Sequence, residues 1–207
     1  GMSWANVAEL AETITKSSFE AMAKGGRPAV LAQLPTVTKL SRSALFAGKA
    51  LVGGDNQETS RDGERLANHE MVLGLREKPK TLLRGQIVGE GGGLSSVANT
   101  DVRSDARIVA VVVNTIDDQL KGSVQVRVDW KNDRILPLQG LLEAAAHRGR
   151  LVLLVSDHGH VLWRRSLGVA ARTVKDAEVT ERGARYRTLR PGETAGADEI
   201  ELPVSAL

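Results

Sequence analysis

The sequence has no cysteine, few aromatic residues and no long apolar run. Without cysteine it can form no disulfide, zinc–thiolate site or thiol nucleophile, and it suits a reducing compartment. Aromatic residues make up 3% of the 207 residues, too few to stack single-stranded nucleic acid across most of the surface. No apolar run approaches the ~20 residues of a membrane helix, and residues 1–4 do not open a signal peptide. We therefore expect a soluble, cytoplasmic protein with no membrane partner.

The charges are nearly balanced over the whole chain but unevenly distributed along it. The formal net charge is +3. Between Val161 and Arg190 there are eight basic and three acidic residues, and four acidic residues follow Pro191. A basic strip of this kind attracts phosphate groups. A solvated surface that the acidic tail 191–207 balances explains the same charges, so both interpretations stay open at this point.

The apolar pattern predicts one α/β domain over residues 1–207. With 42% hydrophobic and 26% charged residues, the composition is ordinary for a globular protein. Strands are predicted over residues 29–34, 81–83, 107–113 and 150–155, and helices over 4–23, 40–49, 64–75 and 136–147. Residues 53–54 are predicted to end the second helix, and the glycine-rich residues 89–100 are predicted to form a loop. Apolar strands alternating with helices favour a mostly parallel sheet with helices on both faces.

A group of possible metal ligands follows the predicted strand 150–155. Asp157, His158 and His160 offer a carboxylate and two imidazoles to a divalent ion such as zinc or manganese. Gly159 allows a sharp turn between them. A lone histidine beside a strand is usually a hydrogen-bonded surface residue, but two of the chain's four histidines beside an Asp favour a metal site.

Two adjacent carboxylates, Asp117 and Asp118, follow the predicted strand 107–113. Neighbouring carboxylates repel each other unless water or a metal ion separates their charges. A helix cap or a turn explains the same pair equally well, and both interpretations stay open.

A hydroxyl and a guanidinium lie at the start of the helix predicted after Pro35. Thr38 lies where backbone amides and the helix dipole favour a phosphate group. Arg42, one turn later, offers a planar donor to the same oxyanion. A simple threonine cap accounts for Thr38 without any ligand, and taken alone this segment favours that interpretation.

In their order along the chain, the three segments resemble the alkaline phosphatase superfamily, which includes phosphodiesterases, sulfatases and cofactor-independent phosphoglycerate mutases. Residues 35–48 are similar to that superfamily's nucleophile region, where the residue four before the arginine is a metal-bound Ser, Thr or modified Cys, here Thr38. Residues 157–160 resemble its Asp-His-x-His metal motif. More narrowly, residues 34–49, 111–120, 153–161 and 183–187 look like the PglZ domain of BREX-type phage-defence systems.

The resemblance implies a metal-dependent phosphoryl-transfer domain, of phosphodiesterase or nuclease type, acting in phage defence. Thr38 would be the nucleophile and Arg42 would steady the phosphoryl oxygens. Zinc or manganese ions would be bound by Thr38, Asp157, His158, His160, Asp117 and Asp118. A phosphate-containing substrate, including nucleic acid, and other phage-defence proteins are the implied partners.

Two departures from the superfamily pattern keep a second hypothesis open. The superfamily binds metal with an Asp at the end of its first strand, and Gly1-Met2-Ser3 resembles the residues just after such an Asp. We therefore expect a partial, alkaline phosphatase-like domain that lacks this strand. The histidine usual one turn after the second-site Asp is also absent after Asp118. The alternative is a catalytically incomplete domain that acts as a binding or assembly component of the defence complex.

Overall fold

The computed structural model describes residues 8–12, 14, 32–34, 36–51, 58–122, 135, 137–159, 189 and 192–196. Residues 8–12 and 14 are helical, as predicted for 4–23, and residues 32–34 form no strand. The rest of the predicted strand 29–34, almost all of the basic strip, and most of the acidic tail lie outside the described residues. Nowhere in these ranges is a helix long and apolar enough to cross a lipid bilayer.

Helix α1 spans Thr38–Ala47 and carries Thr38 at its first position. The helix begins two residues before the predicted 40–49 because the carbonyl of Val37 already accepts the amides of Leu40 and Ser41, at 3.0 and 2.9 Å. Its buried face is made of small and medium side chains, Leu40, Ser41, Ser43 and Ala44. The other face of the helix remains available to solvent.

Gly48 ends α1, so the prediction that residues 53–54 end it was wrong. Gly48 has a left-handed backbone, with φ of 66°, and its amide donates to the carbonyl of Ala44 at 2.9 Å. The imidazole of His69 packs closely against Gly48. A β-carbon built on Gly48 would lie 1.9 Å from His69 Nε2. Only glycine satisfies both the backbone angle and the close approach of the ring.

The side chain of Gln33 joins the segments before and after α1. Its Nε2 donates to the carbonyl of Leu51 at 2.6 Å, and its Oε1 accepts the amide of Leu51 at 2.9 Å. Its own carbonyl accepts from Ser41 Oγ at 3.1 Å. The two ends of the segment that contains Thr38 are therefore tied to each other.

The predicted helix 64–75 is present as two short helices, α2 (Asp62–Ala67) and α3 (Glu70–Leu73), preceded by a single 3-10 turn at Thr59–Arg61. The break falls at residues 68–69. There His69 accepts the amide of Met71 through Nδ1 at 3.0 Å and so starts a new helix. A polar side chain that competes for backbone hydrogen bonds interrupts the run.

A parallel βαβ unit follows. Strand β1 (Lys80–Leu82) and strand β2 (Val109–Val111) pair in parallel with Lys80 opposite Val109, and they match the predicted strands 81–83 and 107–113. Helices α4 (Arg84–Ile87) and α5 (Ser96–Arg103) form the connection between them. Within the described ranges the sheet has two strands.

Helix α5 corrects the prediction of a loop over residues 89–100. Ser95 Oγ accepts the amide of Ala98 at 3.0 Å, which is a helix N-cap, and the helix buries Ala98 and Val102. The glycines at 91–93 are typical of a loop, so the sequence pattern does not predict this helix. Gly91 and Gly92 lie in a 3-10 turn at Glu90–Gly92, beside an antiparallel bridge between Val88 and Leu94.

The core lies on both sides of the last described helix. Helix α6 spans Thr115–Gly122, and helix α7 spans Leu138–Arg148, close to the predicted 136–147. One apolar cluster joins α7 to β1, α4 and α5 and consists of Leu82, Ile87, Ala98, Val102, Leu141, Ala144 and Ala145. The other joins α7 to the first helical residues and consists of Leu10, Ile14, Ile135, Leu138 and Leu142. Val113 and Val152 touch both clusters.

The prediction of a strand over residues 150–155 was wrong. The structure assigns no strand there, although Val152 packs into the core. Leu151 and Leu153 are 78% and 79% exposed. An apolar run forms a strand only where a neighbouring backbone pairs with it, and no described strand pairs with this segment.

Replacing Gly48 by alanine tests the contact that ends α1. Gly149→Ala is the matched control, since Gly149 ends α7 with φ of 70° and has nothing within 4 Å of the added carbon. The control is expected to lower the free energy of unfolding by about 1 kcal/mol through left-handed strain alone. Gly48→Ala is expected to cost about 2 kcal/mol or more, because His69 must also move. Urea unfolding measures both, and equal losses would contradict the His69 contact.

Candidate functional site

Two of the predicted site residues, 120 positions apart in the chain, are in direct contact. Thr38 Oγ1 lies 2.9 Å from His158 Nε2. Thr38 begins α1, and His158 follows the segment 151–156, which contains no strand. The start of α1 and the segment that contains His158 therefore meet in space.

The carbonyl of Gly159 decides which nitrogen of His158 carries hydrogen. His158 Nδ1 lies 2.7 Å from that carbonyl oxygen. Because a carbonyl oxygen only accepts, Nδ1 must donate, and Nε2 of the neutral ring keeps its lone pair. The hydroxyl of Thr38 therefore donates to His158 Nε2. The ring presents an electron pair toward Thr38.

Asp157 adds a carboxylate to the same cluster. Its Oδ1 accepts the amide of His158 at 3.0 Å, which orients the group. Its Oδ2 lies 3.6 Å from His158 Nε2, too far for a hydrogen bond, and both atoms carry lone pairs. The side chains of Asp157 and His158 are 15% and 13% exposed. Electron-rich atoms that converge at a partly buried place attract a cation.

Two separations among the donor atoms of Thr38, Asp157 and His158 can be compared with those between the ligands of one divalent ion. Two ligands of a tetrahedral zinc ion, each about 2.1 Å from the metal, lie roughly 3.4 Å from one another. The separations found here, 2.9 Å from Oγ1 to Nε2 and 3.6 Å from Nε2 to Oδ2, lie on either side of that value. A hydroxyl, an imidazole and a carboxylate make a mixed set suited to zinc or manganese.

The remaining predicted ligands are not gathered at this cluster in the described part of the chain. Asp118 Oδ2 pairs with Arg84 Nη2 at 2.7 Å, with both side chains open to solvent. Asp117 is partly buried in the first turn of α6. His160 lies outside the described residues. Over the described ranges, no three His, Asp or Glu side chains form a group that could bind a metal ion.

Arg42 is held by a buried carboxylate that the sequence analysis did not single out. Arg42 Nε donates to Asp62 Oδ2 at 2.7 Å, and Arg65 Nη1 donates to Asp62 Oδ1 at 3.0 Å. Asp62 is completely buried, and each arginine side chain is 13% exposed. Asp62 lies in a polar stretch among Glu58, Arg61 and Glu64, and nothing in that pattern distinguishes it from its exposed neighbours.

Burial raises the pKa of Asp62 above its ordinary value, and the charges and hydrogen bonds of Arg42 and Arg65 oppose that rise. Desolvation is the larger effect, because a fully buried carboxylate loses its water. The folded chain consequently binds this proton more tightly than the unfolded chain does.

The pH dependence of stability tests the environment of Asp62. A carboxyl whose pKa is raised by folding stabilises the folded state as it becomes protonated. The stability of the wild type relative to Asp62→Asn is therefore expected to rise as the pH falls through the raised pKa, and to level off below about pH 4. Chemical unfolding of both proteins at a series of pH values measures the difference. A relative stability that falls on acidification would mean that the arginines outweigh burial.

Comparison with known proteins gives one match. A family model described as the BREX system PglZ alkaline phosphatase-like domain matches residues 1–205. No curated protein matches the chain, and no solved structure matches it. The matched range includes the Thr38–His158 cluster and the Asp62 ion pairs. The chain belongs to the PglZ family, the alkaline phosphatase-like domain of BREX systems.

Proposed function

We propose that this domain is a metal-dependent phosphodiesterase, of nuclease type, that acts in phage defence. The observation that carries the proposal is the 2.9 Å contact between Thr38 Oγ1 and His158 Nε2, which brings a hydroxyl nucleophile to an imidazole lone pair. Membership in a BREX family supports the defence role. Nucleic acid is the proposed substrate, since the basic strip between Val161 and Arg190 suits a polyanion. Other phage-defence proteins are the proposed partners.

Thr38 is the proposed nucleophile, and α1 is oriented to receive the phosphoryl group. In the described ranges, Leu40 and Ser41 are the first residues of α1 whose amides donate into the helix. The amides of Thr38 and Lys39 are therefore available to phosphoryl oxygens at the positive end of the helix dipole. Arg42 adds a guanidinium from the next turn. His158 Nε2 accepts a hydrogen bond from the Thr38 hydroxyl, and a metal ion would take this lone pair in place of the hydrogen bond.

Thr38, Asp157 and His158 are the proposed ligands of one ion, zinc or manganese. When bound, the metal would lower the pKa of the hydroxyl and polarise phosphoryl oxygens. Asp157 orients its carboxylate through the amide of His158, and Gly159 keeps the Nε2 lone pair of His158 directed at the same place. Asp117, Asp118 and His160 are the proposed ligands of a second ion.

The second candidate function is a catalytically incomplete domain that binds or assembles other components of the defence complex. A specific observation favours it. Asp118 is paired with Arg84 at the surface, and the described residues provide three donors where a two-ion site needs about twice as many. A single ion at Thr38, Asp157 and His158 would then stabilise a surface for binding and perform no hydrolysis.

Substitution of Thr38 tests the catalytic proposal. With manganese or zinc present, hydrolysis of a chromogenic phosphodiester is expected to fall at least about 1,000-fold in Thr38→Ala, because the nucleophile is lost. Thr100→Ala is the matched control, since Thr100 is an exposed threonine in α5, and it is expected to keep full activity. Turnover that survives in Thr38→Ala would overturn the role of Thr38.

Metal binding separates the two candidate functions. Zinc or manganese is expected to raise the melting temperature of the wild type and of His147→Ala, whose histidine is exposed in the last turn of α7. The increase is expected to disappear in His158→Ala and in Asp157→Ala. Metal binding with turnover supports the phosphodiesterase, and metal binding without turnover supports the assembly role. An increase that persists in both variants would contradict the proposed ligands.

A further inference from the structure

We propose that Asp62 is the positioning residue that aims Arg42 at the phosphoryl group bound at Thr38. This inference rests on the proposed function and names the group that would prepare its anion site. The pairing is with Nε, the inner nitrogen of the Arg42 guanidinium, at 2.7 Å. The two terminal nitrogens are left to bind something else.

The placement of Arg42 on α1 brings its side chain toward Thr38. The two residues are four apart, so they lie one above the other on the same face of the helix. A helical side chain also leans toward the N-terminus of its helix, where Thr38 is. A carboxylate bound to both terminal nitrogens of Arg42 would cover the end of the guanidinium, whereas an anchor at Nε leaves that end open to a phosphate.

In the described part of the chain, the terminal nitrogens of Arg42 have no acceptor. Among the described residues, Asp62 is the acceptor that Arg42 contacts. The buried side-chain atoms without a partner in those residues are Ser43 Oγ and Thr81 Oγ1, and neither terminal nitrogen of Arg42 is one of them. The side chain of Arg42 is 13% exposed, and the outer edge of its guanidinium is not occupied by Asp62. This edge is the one that matches the oxygens of a phosphate.

Asp62 is itself held in place. Its second oxygen accepts from Arg65 at 3.0 Å, and Arg65 also donates to the carbonyl of Glu58 at 2.8 Å. A carboxylate bound on both oxygens cannot turn to follow Arg42. The side chain of Arg42 is therefore held in one orientation once the protein has folded, and phosphate binding does not have to order it.

The charge of this cluster also points to an anion. One buried carboxylate shared by two guanidinium groups neutralises at most one of their two positive charges. Arg42, on the helix of Thr38, therefore keeps positive charge that a bound phosphate can neutralise.

Binding of inorganic phosphate to the metal-loaded full chain, measured by titration calorimetry, tests the inference. Asp62→Asn is expected to weaken phosphate binding about 10- to 100-fold, because Arg42 loses its anchor. Arg61→Gln is the matched control, since Arg61 is an exposed arginine of the same segment that pairs with Glu64, and it is expected to change phosphate affinity less than about threefold.

The double variant gives a result that a merely structural role would not. Arg42→Lys alone is expected to weaken phosphate binding as much as Asp62→Asn does. Adding Asp62→Asn to Arg42→Lys is expected to weaken it no further, because Asp62 acts only through Arg42. Additive losses, or equal losses in Asp62→Asn and Arg61→Gln, would overturn the inference.

Two further results also bear on the inference. If Asp62→Asn does not fold, Asp62→Glu keeps the charge and shifts the carboxylate by one methylene, and it is expected to weaken phosphate binding in the same direction. A wild type that binds no phosphate would overturn the inference. Turnover that persists in Thr38→Ala would overturn the role of Thr38 in the proposed function, and the phosphate affinities of the Asp62 variants would still test the positioning of Arg42.

Discussion

A fully buried carboxylate between two guanidinium groups joins helices α1 and α2. Asp62 begins α2, and Arg42 belongs to α1, so their ion pair joins the two helices at a point one turn from Thr38. Removal of either partner would leave a charge uncompensated in a buried place, a cost much larger than that of an exposed pair. The position of α1, and with it the direction of Thr38, depends on this contact.

The site joins α1 to a segment that is neither helix nor strand. His158 follows a segment without a strand, and its leucines at 151 and 153 are turned to water. The segment is located by Val152, which packs into both apolar clusters, and by the hydrogen bond from Thr38 to His158. One half of the site thus lies on a packed helix, and the other half on a loop that local hydrogen bonds order.

The site residues that could be predicted from the sequence are those that lie in short motifs of chemically reactive side chains. Thr38, Asp157 and His158 were expected at one site, and the structure brings Thr38 to His158 although the strand predicted before His158 is absent. Helix α5 was missed because glycines at 91–93 outweighed the cap at Ser95. Asp62 was missed because its side chain is buried by the packing of α1, α2 and β1. The charges of the neighbouring residues in the sequence do not predict this packing. The predicted strand 150–155 failed for the same reason, since pairing needs a second backbone.

The two hydrogen bonds between the side chain of Gln33 and the backbone of Leu51 have a consequence for how relatives of this domain can vary in length. They join residue 33 to residue 51, so the chain that contains Thr38 and all of α1 forms a loop closed at its two ends. Residues added or removed after Leu51 therefore change the path of the chain without displacing the helix. Natural insertions in this family are expected to accumulate beyond this clamp and to be rare inside it.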